Sequence, residues 1–210
     1  MLDLILPLEC GGCGVPATRW CPACAHLLRV RADEPHVITP RVDSGVPVFS
    51  LGRYAGPRRN AIVAVKEHGR ADLIGPLATA LRGGLRQLMA WGVVTAPLTV
   101  VPAPTRRMAA RRRGGDPVTQ IALAATAGAH AVTVARALRM KALVRDSVGL
   151  SGAARQRNVT GRVVRTAEVA DRDVVLVDDI VTTGATAAES VRVLQTSGAR
   201  VVAVLTLANA

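Results

Sequence analysis

An α/β fold built on a mainly parallel sheet is what this 210-residue sequence predicts. Apolar runs such as VVLV (174–177) and VVAVL (201–205) are continuous rather than alternating, as in strands buried on both faces. They recur between segments with helical apolar spacing, the pattern of strand–helix units. A small module precedes this body, because all four cysteines fall within the first 24 residues as Cys10-x2-Cys13 and Cys21-x2-Cys24. Two such knuckles with small residues between the thiols turn four thiolates toward one ion, so the spacing predicts a structural Zn²⁺ site. Two disulfides or a redox pair are the competing readings. An unexported chain argues against the first, and the absence of a strand-to-helix setting argues against the second. His26, two residues after Cys24, is a candidate substitute ligand.

In order along the chain, residues 1–30 read as the zinc-binding knuckle. Residues 31–47 read as a connector, with prolines at 35, 40 and 47 and no periodicity. The main domain spans 48–210. It opens with a strand at 48–56, stopped by Gly56-Pro57, and a short amphipathic helix from Arg58 to Glu67. A second helix runs from Leu73 to Trp91, weakened by Gly75, Pro76, Gly83 and Gly84. LTVVPAP (98–104) reads as a buried strand entering a proline turn, and Asp116-Pro117 starts a helix to Ala127. Further strands are expected at 137–144, 161–165, 173–178 and 200–207, with a helix at 185–197 closed by Gly198.

Composition narrows function. Only 2% of residues are aromatic (Trp20, Phe49, Tyr54, Trp91), which excludes a stacking platform for bases. The net charge is +12, and between residues 51 and 165 there are 20 basic against 4 acidic side chains. A polyanionic partner such as single-stranded nucleic acid suits that basic middle, although a solvated arginine-rich surface gives the same composition. No apolar run approaches the ~18 residues that cross a bilayer, and the N-terminus lacks a basic leader segment. The protein therefore reads as cytoplasmic, with no membrane span.

The most informative stretch is VVLVDDIVTTGAT (174–186). A buried strand delivers Asp178 and Asp179 to the carboxyl edge of the sheet, where open α/β sheets bind ligands. A turn of small and hydroxylated residues then leads into a helix, whose free N–H groups favour a phosphate. Thr182, Thr183 and Thr186 add hydroxyls, and Gly184 and Ala185 leave room for the anion. Read instead as a helix cap, two adjacent carboxylates after VVLV are costly unless something positive or hydroxyl-bearing meets them.

This run resembles the signature of type I phosphoribosyltransferases, which bind 5-phosphoribosyl-1-pyrophosphate (PRPP). The resemblance implies a Rossmann-like core. It also implies that Asp178 and Asp179 hold the ribose hydroxyls in a catalytic role, that Thr182 to Thr186 hold the 5′-phosphate, and that Mg²⁺ accompanies PRPP. It puts a pyrophosphate loop at Ala103, Pro104, Arg106 and Arg107, where arginine forks suit paired oxygens. Purine-salvage members place an acidic base where this chain has Thr182, and a hydroxyl does not serve as that base at neutral pH.

Several further features are similar to the ComF family, whose branches include competence proteins and GntX. They are the cysteine knuckle before the PRPP run, Lys66-x2-Gly69-Arg70, VPAPTRRMAARRRGG (101–115) and Leu150-x4-Arg155-x2-Asn158-Val159. That resemblance implies a zinc-containing phosphoribosyltransferase-like protein linked to DNA uptake, with an unsettled acceptor. It leaves open a non-catalytic sensor of PRPP or nucleotide that holds single-stranded DNA. Lys66 and Arg70 are then within reach of phosphates. Where the family reads Arg-Gly-Phe-Asn, this chain has Arg113-Gly114-Gly115-Asp116; a usual glutamine falls near Ser147 and a usual aromatic near Val163. These departures lie in segments expected to contact the acceptor. A homodimer or a competence-machinery partner is the expected assembly, and the apolar stretch 130–138 suits such a contact.

Overall fold

The computed structural model describes residues 8–105, 115–141, 161–169 and 173–210. Its elements in chain order are α1 (Pro22–Leu28), β1 (His36–Ile38), β2 (Val48–Ser50), α2 (Gly56–His68), a single 3₁₀ turn (Ala71–Leu73), α3 (Ile74–Ala90) and β3 (Leu98–Pro102). They continue with α4 (Pro117–Thr126), β4 (Val132–Val134), β5 (Leu138–Met140), β6 (Val163–Arg165), β7 (Asp173–Val181), α5 (Ala185–Thr196) and β8 (Arg200–Asn209).

Six strands form one sheet in the order β1-β2-β8-β7-β3-β4, with only the β1–β2 pair antiparallel. β5 and β6 form a separate antiparallel pair. The continuous apolar runs are explained by burial on both sheet faces. Val175 and Val177 enter a core with α2, α3 and α4, whereas Val174 and Leu176 enter a second core with Ala187, Val191 and Leu194 of α5. Leu98, Val100, Val101 and Leu205 are all fully buried. β7 is thus central, flanked by β3 and β8, and carries the acidic pair.

Local chemistry sets the helix ends. Pro57 lies in the first turn of α2, and Gly69 closes that helix at φ 64° with its N–H on the Ala64 carbonyl. Asp116 caps α4 by accepting from the Thr119 N–H. Gly84 does not interrupt α3; a Cβ there would sit 2.8 Å from Leu51 Cδ2, so the missing side chain lets the helix approach the sheet. Among the described residues, no helix is long and apolar enough to cross a membrane.

The structure departs from the sequence expectations in several places. The segment 31–47 is not only a link, since β1 lies within it and pairs with β2. The strand expected at 48–56 is cut to Val48–Ser50, because the chain turns at Gly52 to start α2. The strand expected at 173–178 continues to Val181, because Ile180 and Val181 find partners in Ala208 and Asn209 of β8. A strand, β4, lies at the sheet edge within the stretch 130–138, where none was expected before residue 137.

Candidate functional site

At the carboxyl end of β7 the alternation of the strand sends Asp178 and Asp179 to opposite faces. Asp179 is buried at 5% exposure on the side of α2, where Lys66 Nζ lies 2.8 Å from its Oδ2. Burial alone would lower the Lys66 ammonium, but the Asp179 carboxylate, with Asp178 behind it, holds it above its ordinary range. Asp178 is half-buried and its Oδ1 accepts the Asp179 N–H at 2.8 Å. Burial, and then the charge of Asp179, push the Asp178 carboxyl well above the usual carboxylate range, against the opposing pull of Lys66. The site therefore holds one engaged carboxylate and one costly one.

Three residues further on, Thr182 is exposed, Thr183 is half-buried and Gly184 opens α5. No side chain of the Gly184 N-cap bonds the first turn, and the first helical amides of Ala185 and Thr186 face the turn, with only a 3.4 Å contact from Ala185 N–H to Thr183 Oγ1. Such a helix start favours an anion. The segment after β1 clamps this turn from outside, because the Val42 N–H donates to the Thr183 carbonyl at 2.8 Å. Gly184 has φ +83°, and a Cβ there would lie 2.6 Å from Pro40 Cβ and 2.7 Å from the Val42 carbonyl oxygen. Gly184→Ala is expected to destabilise the fold by about 2–4 kcal/mol through left-handed strain and overpacking. Urea denaturation of the two proteins checks this.

On the neighbouring strand, β3 ends beside the acidic pair: the Ala103 N–H donates to the Val177 carbonyl at 2.8 Å. Ala103 and Pro104 line a cleft of about 330 Å³ together with Asp116, Gln120, Arg136 and Arg139. The fold thus brings Asp178, Asp179, Lys66, Thr182 to Thr186, Ala103 and Pro104 to one edge of the sheet. Arg106, Arg107, arginines 111–113 and the motif from Leu150 to Val159 lie outside the described residues. Arg70 is not at this edge. It chelates Asp72 at 2.8 and 2.7 Å and reaches the Glu9 carbonyl, tying α2 to the knuckle. Sequence reasoning missed the clamp at Pro40 and Val42 and the arginines at 136 and 139. The clamp carries no periodic signal, and its prolines read as loop.

The knuckle is a second site. The ligand atoms of Cys10, Cys13, Cys21 and Cys24 all lie within 4.8 Å of one another, and among the described residues this is the one cluster of metal-ligating type. A tetrahedral zinc with bonds of about 2.3 Å puts its sulfurs about 3.8 Å apart, and Cys13 and Cys21 Sγ are 3.6 Å apart. The Cys21 N–H points to Cys10 Sγ at 3.3 Å and the Cys24 N–H to Cys21 Sγ at 3.4 Å, as thiolate acceptors require. Burial would raise the Cys10 thiol, but the N–H groups of Cys13, Cys21 and Gly12 bring it down to about 6. Burial and the neighbouring sulfurs push Cys24 up. Four sulfurs this close are not all ionised without a cation among them, so the donor set fits a structural zinc ion. Gly12 completes the cradle, since a Cβ there would be 2.6 Å from Cys24 Sγ. His26 is exposed and outside the cluster.

A mostly parallel α/β sheet whose central strand carries an acidic pair near its carboxyl end, followed after a short turn by an uncapped helix start, is an arrangement suited to a sugar phosphate or nucleotide. Residues 107–210 match the family model described as "Phosphoribosyl transferase domain". The chain carries a phosphoribosyltransferase domain with a four-cysteine cluster on its N-terminal side. Similar solved structures include a hypoxanthine phosphoribosyltransferase from Staphylococcus aureus in orthorhombic and tetragonal crystals, at 18% and 16% identity. Both have a TM-score of 0.36 and cover 65% of this chain, which spans 62% of the length of theirs. No curated protein matches the chain.

Proposed function

We propose that the protein binds PRPP at the carboxyl edge of β7 and transfers ribose 5-phosphate to an acceptor. The observation that carries this reading is the acidic pair Asp178-Asp179 near the end of the central strand, which stops at Val181 and leads through Thr182 and Thr183 to the Gly184 turn that opens α5. In this reading the amides of α5 and the hydroxyls of Thr182, Thr183 and Thr186 bind the 5′-phosphate. The carboxylates of Asp178 and Asp179 accept from the ribose 2′- and 3′-hydroxyls. The turn at Ala103 and Pro104, with Arg106 and Arg107 after it, receives the pyrophosphate. Two carboxylates, one already engaged by Lys66, do not amount to a resident magnesium site, so Mg²⁺ arrives as part of the substrate, on its phosphate and hydroxyl oxygens.

During transfer the bond from C1 to the pyrophosphate oxygen breaks and pyrophosphate keeps the electron pair. The acceptor nucleophile donates its pair to C1 and loses its proton to solvent. Positive charge builds on the ribose ring between these events, and the nearby carboxylates stabilise it. Thr182 supplies no base, so the acceptor is one that needs none or brings its own, which is unlike a purine in salvage chemistry. The 20 basic against 4 acidic residues of 51–165 favour an anionic acceptor. The order of the knuckle, Lys66-x2-Gly69-Arg70 and the PRPP run supports a ComF-type protein acting in DNA uptake.

Isothermal titration of Mg²⁺ and PRPP into the zinc-loaded protein tests the site, beside the Asp178→Asn/Asp179→Asn variant. Saturable binding that the variant loses is the expected result, and no binding by the intact protein would remove the phosphoribosyl reading. Pyrophosphate release on adding nucleobases or single-stranded DNA establishes transfer. Binding without release leaves a sensor.

A further inference from the structure

Lys66 was singled out in the sequence as a phosphate ligand, but its surroundings assign it another task. Its ammonium is 2.8 Å from Asp179 Oδ2, a carboxylate whose side chain is 7% exposed. Apart from Lys66, no hydrogen-bond donor among the described residues reaches that oxygen, so the ammonium is the group that meets it. Asp179 spends its own N–H on Asp178, which fixes the backbone but leaves the carboxylate plane to Lys66.

The placement of Lys66 is itself fixed. It lies three residues before the left-handed Gly69 that ends α2, and the next residue, Arg70, binds Asp72 and the knuckle carbonyl of Glu9. Near the middle of the same helix, Asn60 Nδ2 donates to the Gly12 carbonyl at 2.7 Å. α2 is thus pinned to the cysteine module at two points, and Lys66 projects from the pinned helix onto the acidic pair. A buried ion pair keeps its orientation because separating it leaves two uncompensated charges.

We propose that Lys66 is a positioning residue that orients the Asp179 carboxylate for the ribose diol, rather than a ligand of the substrate phosphates. This rests on the phosphoribosyl reading above. It separates two parts of the substrate: a residue acting through Asp179 affects recognition of the ribose, whereas a residue on the phosphates affects every phosphate ligand alike.

The test is isothermal titration of Mg²⁺–PRPP and of Mg²⁺–pyrophosphate into the full chain. The proteins are wild type, Lys66→Met, Asp179→Asn and the double variant, with circular dichroism to verify folding. Lys66→Met is expected to weaken PRPP by about tenfold or more, the scale of a lost charge-assisted hydrogen bond, and to leave pyrophosphate within about twofold. The double variant is expected to bind PRPP no more weakly than Asp179→Asn alone, because the two changes break one interaction. Equal losses for both ligands, or additive losses in the double variant, would overturn the proposal in favour of direct phosphate contact. Should Lys66→Met fail to fold, Lys66→Gln keeps a donor without the charge, and the same criteria apply. Wild type that binds PRPP with an unaffected Lys66→Met strikes this inference alone. Wild type that binds no PRPP strikes the reading beneath it.

Discussion

Removing zinc with a strong chelator is expected to unfold residues 9–30 and, with them, to cost the protein its PRPP affinity. The module buries Cys10, Cys21 and Cys24 beside Trp20 and is too small to be stable without its metal. Zinc in such four-ligand sites contributes about 10–16 kcal/mol at neutral pH, more than the total stability of many domains. The loss is not confined to the module. Gly11 packs so closely on Leu73 that a Cβ would lie 2.3 Å from its Cδ1, Leu28 belongs to the main core, and Arg70 and Asn60 bind knuckle carbonyls. α2 therefore loses its anchor, and Lys66 its fixed approach to Asp179. Thermal melts and PRPP titrations before and after chelation, with Cys24→Ser as the genetic equivalent, provide the measurement. A melt unchanged by chelation would refute the structural role of the metal.

Asp178→Asn is expected to stabilise the folded protein at neutral pH while abolishing PRPP binding. The native carboxyl is held well above its ordinary range by burial and by Asp179, so the folded state retains a proton that the unfolded chain has released. A group raised on folding contributes its stability below the unfolded value near pH 3.9, and that contribution is lost as pH climbs toward the folded value. Through that window, wild-type stability is expected to fall by up to about 1.4 kcal/mol per pH unit. Asparagine does not titrate and removes this slope. The gain in the variant is therefore largest at neutral and alkaline pH and vanishes near pH 4 and below. Urea denaturation of both proteins across that range measures it. A variant that is less stable at pH 7.5 would mean that Asp178 is compensated by contacts other than those described. Such a trade, in which a binding residue costs the empty protein stability, is what a functional carboxylate at a sheet edge should show.

The sequence was legible where short-range chemistry decides the outcome. The two cysteine knuckles needed only spacing, and the acidic pair with its glycine turn needed only the order strand, acids, small residues, helix. Much of the body followed from the same logic, since continuous valine runs gave β7 and β8 and Asp116-Pro117 gave the start of α4. Three-residue strands such as β1 and β4 are shorter than any periodic window, and only their partners β2 and β3 define them. The Lys66–Asp179 pair joins positions 113 apart, and the Val42–Thr183 bond joins positions 141 apart, so neither leaves a local trace. The glycines of α3 counted against a helix by propensity, yet the cost is offset by close packing on Leu51 and Val30.

The strand order has a consequence for how the molecule reaches this state. β8 follows every other strand in the chain but lies between β2 and β7, and β3 is inserted between β7 and β4. Besides its pairing with the next strand, β8, the acidic pair is placed by β3 and by Lys66 of α2, both distant along the chain, which predicts slow folding to the native topology. A fragment limited to residues 107–210 would contain β7 and β8 but neither β2 nor β3. Its two core strands would each present a bare apolar edge, and such a fragment would self-associate rather than fold.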